Sequence, residues 1–187
     1  MTTITTTEFA TLTGTYAIDA AHSRIGFVAR HAMVTKVRGS FNDFEGTAVL
    51  DGSDLSKSTV TVTAQVASID TRNEQRDGHL RTNDFLGAEQ FPDLSFTSTS
   101  ITHVGGNNFE VTGDLSIKGV TKSVTFPLEF QGAATDPFGN DRIGFEGATQ
   151  ILRSEYGVSF NAPLETGGVL VSDKITIELE ISAVKSA

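Results

Sequence analysis

The chain has 187 residues, 38% of them hydrophobic and 20% charged, with a formal charge of −9. This is the profile of one ordinary globular domain rather than of a disordered or fibrous chain. The acidic balance tells against nucleic acid, which is gripped by clustered Lys and Arg, and against anionic membranes. The absence of Cys excludes disulfides and thiolate chemistry. Thirteen Phe against two Tyr and no Trp make the aromatic surface almost wholly apolar, suited to a core or a greasy pocket.

Residues 1–14 lack the basic start and apolar core of a secretory signal and are read as a flexible tail. No run of about 18 apolar residues predicts a membrane span, so a cytoplasmic location is expected. Asp19, His22 and Ser23 lie close together, yet no nucleophile elbow or G-x-S-x-G surrounds Ser23. Asp19 and Ser23 are better read as satisfying backbone groups at a strand start.

Period-2 alternation then recurs through the chain, in about eight strands. It places Ile25, Phe27 and Ala29 on one face, then Val37, Gly39 and Phe41. Asp43 and Glu45 flank Phe44 beside an expected turn at Gly46 and read as solvated surface. Further alternating sets are Val60, Val62, Ala64 and Val66, then Leu94 and Phe96. Three more follow: Phe109 to Ile117 through Val111, Gly113 and Leu115; Val124 to Phe130 through Phe126; and Ile143 to Ile151 through Phe145 and Gly147. The clearest comes last, with Ile175, Ile177, Leu179 and Ile181 against Thr176, Glu178, Glu180 and Ser182. Short turn signals between the strands predict an up-and-down antiparallel sheet, closed as a barrel with a two-sheet sandwich as its rival. Gly39, Gly113 and Gly147 fall on the inward parity, where they either leave room in a lumen or mark bends.

The segment Asp70–Phe96 breaks the alternation. Asn73 is placed to cap a helix starting at Glu74, and Asn83 a second short turn ending at Gly87. Leu80, Phe85 and Leu86 are expected to pack on one barrel end while Arg72, Arg76, Asp77 and Arg81 meet solvent or each other. Residues 154–173 form a second irregular stretch whose Tyr156, Val158, Phe160 and Leu170 suggest a loop packed over something. The four histidines, His22, His31, His79 and His103, have no metal-ligand spacing, and no phosphate-binding glycine motif is present. An acidic exterior around a Phe- and Val-rich interior points to a neutral, greasy ligand.

Seven blocks in order carry a family resemblance: Tyr-Ala-Ile-Asp-Ala-Ala-His-Ser-Arg-Ile-Gly-Phe from Tyr16, Val-Arg-Gly-Ser-Phe-Asn-Asp-Phe from Val37, Ser-Ile-Asp-Thr-Arg-Asn-Glu-Gln-Arg-Asp-Gly-His-Leu-Arg from Ser68, Asn-Asp-Phe-Leu from Asn83, Phe-Pro-Asp-Leu-Ser-Phe from Phe91, Gly-Asp-Leu-Ser-Ile-Lys-Gly-Val-Thr-Lys from Gly113 and Arg-Ser-Glu-Tyr-Gly from Arg153. Together they resemble the YceI-like family of lipid- or polyisoprenoid-binding, lipocalin-like proteins. The resemblance implies an all-β fold over 15–187, an eight-stranded antiparallel barrel with a short helical insertion. It also implies binding, storage or transport of a long apolar chain such as a polyisoprenoid, an isoprenoid quinone or a fatty amide, with no catalytic residue or metal. Tyr16 stands where Trp is common in the family, and Leu86 where a second Phe is common.

Parity alone nominates Phe27, Val62, Val111, Leu115, Phe126, Phe145 and Ile177 as lumen-facing ligand contacts, with Gly113 and Gly147 making space. The alternative is an enzyme acting on a bound lipid through His22 with Asp19 or Ser23. A filled barrel acting as an interaction module is a third reading. A homodimer is expected only as the common state of soluble proteins.

Overall fold

A computed structural model describes residues 6–165 and 167–186. Two short helices and eleven strands are present among them. The strands comprise β1 (Gly14–Ile18), β2 (Arg24–His31), β3 (Thr35–Phe41), β4 (Phe44–Leu50), β5 (Thr59–Gln65), β6 (Ile69–Asp70), β7 (Asp93–Gly105), β8 (Asn108–Ile117), β9 (Val120–Thr135), β10 (Asp141–Leu152) and β11 (Lys174–Lys185).

The early strands are halves of bent ribbons. Asp19 accepts a hydrogen bond from the Ala21 amide and caps a 3-10 turn, Ala20–His22, that separates β1 from β2. β1 then pairs with β4, and β2 with β3. The same logic joins β3 to β4 across Asn42 and Asp43, and β5 to β6. Counted as ribbons, eight antiparallel members follow one another in chain order, and β11 closes the ring onto both β1 and β2. The result is an up-and-down barrel, not the two-sheet sandwich. Closure leaves the ring itself no open edge.

Bulges correct the parity where strands are long. Between Ser98 and Ser100 the β7–β8 register slips, so Leu94 and Phe96 face inward on even numbers and Ile101 on an odd one. A second slip between Gly144 and Phe145 adjusts β10 against β9.

Four sequence expectations need correction. The tail predicted over 1–14 folds from Thr6 onward, into helix α1 (Thr6–Thr11) and the start of β1; residues 1–5 lie outside the described residues. Phe9 drives this, because it is 5% exposed and meets Phe109 and His103 edge-on with ring centroids 5.1 Å away. Gly46 is not a turn but the middle of β4, packed under Ile18 and the Thr61 carbonyl. Asn73 does cap helix α2 (Glu74–Leu80), its side chain accepting from the Arg76 amide at 2.9 Å. The second capped helix at Asn83 is absent, replaced by turns in which Phe85 and Gly87 both donate to the Thr82 carbonyl.

The last correction concerns charge. Asp77 is buried and accepts from the Thr71 amide and hydroxyl. Arg76 donates to the Thr71 hydroxyl and carbonyl at 2.7 Å, and Arg81 to the carbonyls of Ala67 and Ile69. These side chains brace the α2 segment against β6 instead of meeting solvent.

Candidate functional site: the barrel lumen

Inward residues from every ribbon enclose a cavity of about 340 Å³. One end is closed by α1 and the turn after it, through Phe9 and Leu12. The other is closed by α2 and its following turns, through Leu80, Phe85 and Leu86, together with Tyr156, Val158 and Val171 from the 153–173 loop. The aromatic rings concentrate toward the α1 end, where Phe9, Phe109, Phe130 and Phe145 stack edge to face. Beyond them Val62, Leu115, Ile177 and Leu179 point inward yet stay only half-buried. In a filled core such side chains would be fully covered, so the middle of the barrel is hollow.

Of the residues nominated by parity, Phe27, Val62, Val111, Leu115, Phe126, Phe145 and Ile177 all line this cavity. Gly113 and Gly147 do not. A Cβ on Gly113 would lie 2.5 Å from both the Phe96 ring and the Thr97 carbonyl, and one on Gly147 2.5 Å from the Pro127 carbonyl and 2.8 Å from Leu128. The room they leave is taken by a neighbouring strand's side chain lying flat on the sheet. Gly39 serves Phe27 in the same way. The glycines shape the wall indirectly, by letting Phe27, Phe96 and Leu128 lie down on the sheet.

Sequence reasoning missed the contributions of β1, β4, α1 and the turn after α1, namely Ile18, Ala48, Leu50, Phe9 and Leu12. The signal in β4 was present, since Phe44, Gly46, Ala48 and Leu50 alternate with Glu45, Thr47 and Val49. Small residues at two of those positions weakened it.

Charge is kept at the margin of the lumen. Arg153, 6% exposed, donates to the carbonyls of Val158, Phe160, Val171 and Ser172 at 2.7 to 3.2 Å and lies 6.0 Å from the centre of the Phe85 ring. Burial pushes its guanidinium below the ordinary value, opposed by Asp173. Arginine nevertheless stays protonated in proteins. Its work is to staple the loop over the barrel end. Burial likewise raises the Tyr156 phenol.

The residues of the enzyme reading are not brought together at the cavity. His22 Nδ1 lies 2.7 Å from Asp19, but its side chain is 68% exposed. Ser23 Oγ is engaged by Ser182, accepting from its amide and donating to its carbonyl. None of these residues lines the cavity. Asp19 is held down at about 2, first by the hydrogen bond from Arg142 and then by His22, a state suited to an ion-pair anchor and not to proton transfer near neutrality. The other histidines do not line the cavity either: His31 pairs with Val171 through its backbone as an isolated bridge, His79 Nε2 contacts Asp84 at 2.8 Å, and His103 Nε2 contacts the Gly106 carbonyl.

Residues 16–183 match the YceI-like domain family. A UPF0312 protein of Staphylococcus aureus strain MRSA252 is 39% identical over 164 residues, covering 87% of this chain and 93% of that protein. The crystal structure of BcnA from Burkholderia cenocepacia superposes with a TM-score of 0.78 at 26% identity, over 88% of this chain and 98% of the other. A polyisoprenoid binding domain from Saccharophagus degradans shares the fold with a TM-score of 0.71 at 15% identity, over 91% of this chain and 98% of its own. No helix among the described residues is long and apolar enough to cross a membrane. With its closed barrel, hollow lumen and family match over nearly the whole domain, the chain belongs to the YceI-like family.

Proposed function

We propose that the protein binds a single long apolar chain, a polyisoprenoid, isoprenoid quinone or fatty amide, lengthwise in the barrel, and stores or carries it without transforming it. The observation that carries this reading is the hollow, apolar cavity between the two plugged ends. Its volume falls within the range of small-molecule sites. Strands of ten to twelve residues such as β8 and β11 span about 30–40 Å along their length, so the lumen favours an extended molecule over a compact one. Burying roughly ten methylenes contributes about 8 kcal/mol, enough to offset the lower estimates of the association cost. The Saccharophagus domain named for polyisoprenoid binding supports the reading through its shared fold.

The test is uptake. Protein stripped of lipid in organic solvent and refolded, then offered an isoprenoid quinone, is expected to retain one molecule per chain through gel filtration. Val62→Phe combined with Ile177→Phe, which adds bulk where the lumen is open, is expected to reduce retention at least tenfold while the circular dichroism spectrum persists. Failure of the wild-type protein to retain quinone, a prenol or a fatty amide would overturn the reading.

A further inference from the structure

The hairpin joining β2 to β3 departs from the usual chemistry of a turn. Its tip is Ala32-Met33-Val34, with Ala32 at φ 52° and Met33 at φ 62°, a region in which residues other than Gly, Asn and Asp are disfavoured. Met33 is 55% exposed and Val34 74%. Beside them lies Val169, 38% exposed, on the 153–173 loop. That loop is tied to the hairpin by hydrogen bonds from Ala32 N to the Leu170 carbonyl at 2.7 Å and from Ser172 N to the Arg30 carbonyl at 3.0 Å.

The flanks of the tip are cationic. Arg30 and Lys36 are direct cross-strand partners, an arrangement of like charges that destabilises a sheet. Lys174 begins β11, next to the Ser172 hydroxyl that accepts from the Arg30 amide. None of the three forms an ion pair among the described residues. Neighbouring acids are already engaged: Asp173 accepts from the Ser154 amide and hydroxyl, and Glu178 pairs with Arg38 and Arg24. Glu155 and Glu165 are the remaining carboxylates of the adjoining loop and both are exposed.

Left-handed backbone at non-glycine residues, exposed apolar side chains and unpaired cations thus coincide in one short hairpin of a chain whose net charge is −9. We infer that this hairpin, with Val169, is a docking tip for an anionic lipid bilayer. Apolar side chains enter the headgroup boundary, and Arg30, Lys36 and Lys174 meet the lipid phosphates. The negative remainder of the molecule is repelled, which orients the tip toward the surface. Ala29 and Val171, each one residue from these contacts, line the cavity. Docking therefore places the lumen wall against the membrane, which extends the proposed lipid-binding role by naming where the lipid is exchanged.

The native chain has no Trp, so single reporters are clean. Val34→Trp is expected to shift its emission to the blue and be quenched by brominated lipid in vesicles of 70% phosphatidylcholine and 30% phosphatidylglycerol. Phe138→Trp, at the β9–β10 hairpin where Phe138 is 90% exposed, is expected to do neither. In vesicle flotation of the otherwise native protein, Arg30→Gln and Lys36→Gln are each expected to lower partitioning about fivefold, and Met33→Glu with Val34→Glu to abolish it. Pure phosphatidylcholine vesicles are expected to bind poorly.

Absence of binding to the anionic vesicles, or equal response of both Trp reporters, would overturn the inference. So would concentration-dependent self-association lost in the Met33→Glu, Val34→Glu variant, which would make the tip a contact between copies. Quinone retention is read separately: protein that retains quinone but ignores vesicles defeats the docking tip alone, and protein that binds vesicles but retains nothing defeats the lumen reading alone.

Discussion

The two ends of the barrel perform the same task, closing an apolar tube, by different physical means. At the α2 end, polar side chains reach buried backbone: Asp77 holds Thr71, Arg76 and Arg81 hold carbonyls near β6, and Arg153 fans out to four carbonyls of the covering loop. At the α1 end, a six-residue helix presents one aromatic side chain to a cluster of others. Its polar ties run through Leu12, whose carbonyl accepts from Tyr16, and Thr13, whose hydroxyl accepts from the Gly52 amide. Burying hydrogen-bonded charge gives a closure that resists partial opening, since each broken contact leaves an unsatisfied group. An aromatic plug leaves with fewer polar contacts to break, those of Tyr16 with Leu12 and Gly52 with Thr13, so it yields locally.

Breaking the polar end should cost the most. Arg153→Met leaves several carbonyls without donors and is expected to destabilise the protein by about 3–5 kcal/mol, read as a lower urea midpoint. Hydrogen exchange should show protection lost first over residues 156–171. Asp77→Ala removes the acceptor for the Thr71 amide and is expected to cost about 2 kcal/mol, with Asp77→Asn recovering part. An unchanged midpoint in both would erase the contrast between the ends.

The aromatic end should respond more mildly. Phe9→Ala is expected to cost about 1–2 kcal/mol, less than an ordinary core Phe, because the helix detaches while the strand ladder stays closed. Fast amide exchange confined to residues 9–13 would sharpen the comparison; loss of protection in β7 and β8 would break it.

The smallest effect concerns acid. Asp19, at about 2 against an ordinary 3.8, and Asp136, also well below the ordinary value, both accept from Arg142. A depressed carboxylate contributes stability that is present above its unfolded pKa and is lost as pH falls through the folded one. Arg142→Gln is therefore expected to lower Tm by a few degrees at neutral pH, with the gap to wild type narrowing between pH 4 and pH 2. A gap independent of pH would remove the ion pairs from the account.

The same contrast explains what could be read from the residues. Lumen-facing positions in β8, β9, β10 and β11 were legible because bulky side chains repeat with period 2 on long strands. Phe126 and Ile177 needed no further information. The bent ribbons were harder, since Ile18, Ala48 and Leu50 sit on short segments interrupted by turns. Phe9 was illegible because a single Phe in a Thr-rich segment carries no period, and its burial depends on a ring of partners far along the chain. Gly113 and Gly147 illustrate a different limit: parity located them on the inner face correctly, but which neighbour would occupy the space depends on cross-strand register. The buried polar groups of the α2 end were misread because charged residues on a short helix ordinarily face water.

The central claim is that the hollow between these ends holds a long apolar molecule. Protein purified without detergent and extracted with organic solvent should yield, by mass spectrometry, a long-chain lipid in near one-to-one amount, and the Val62→Phe, Ile177→Phe variant should yield little. An extract of the wild-type protein containing no stoichiometric lipid, together with an identical extract from the blocked variant, would contradict it.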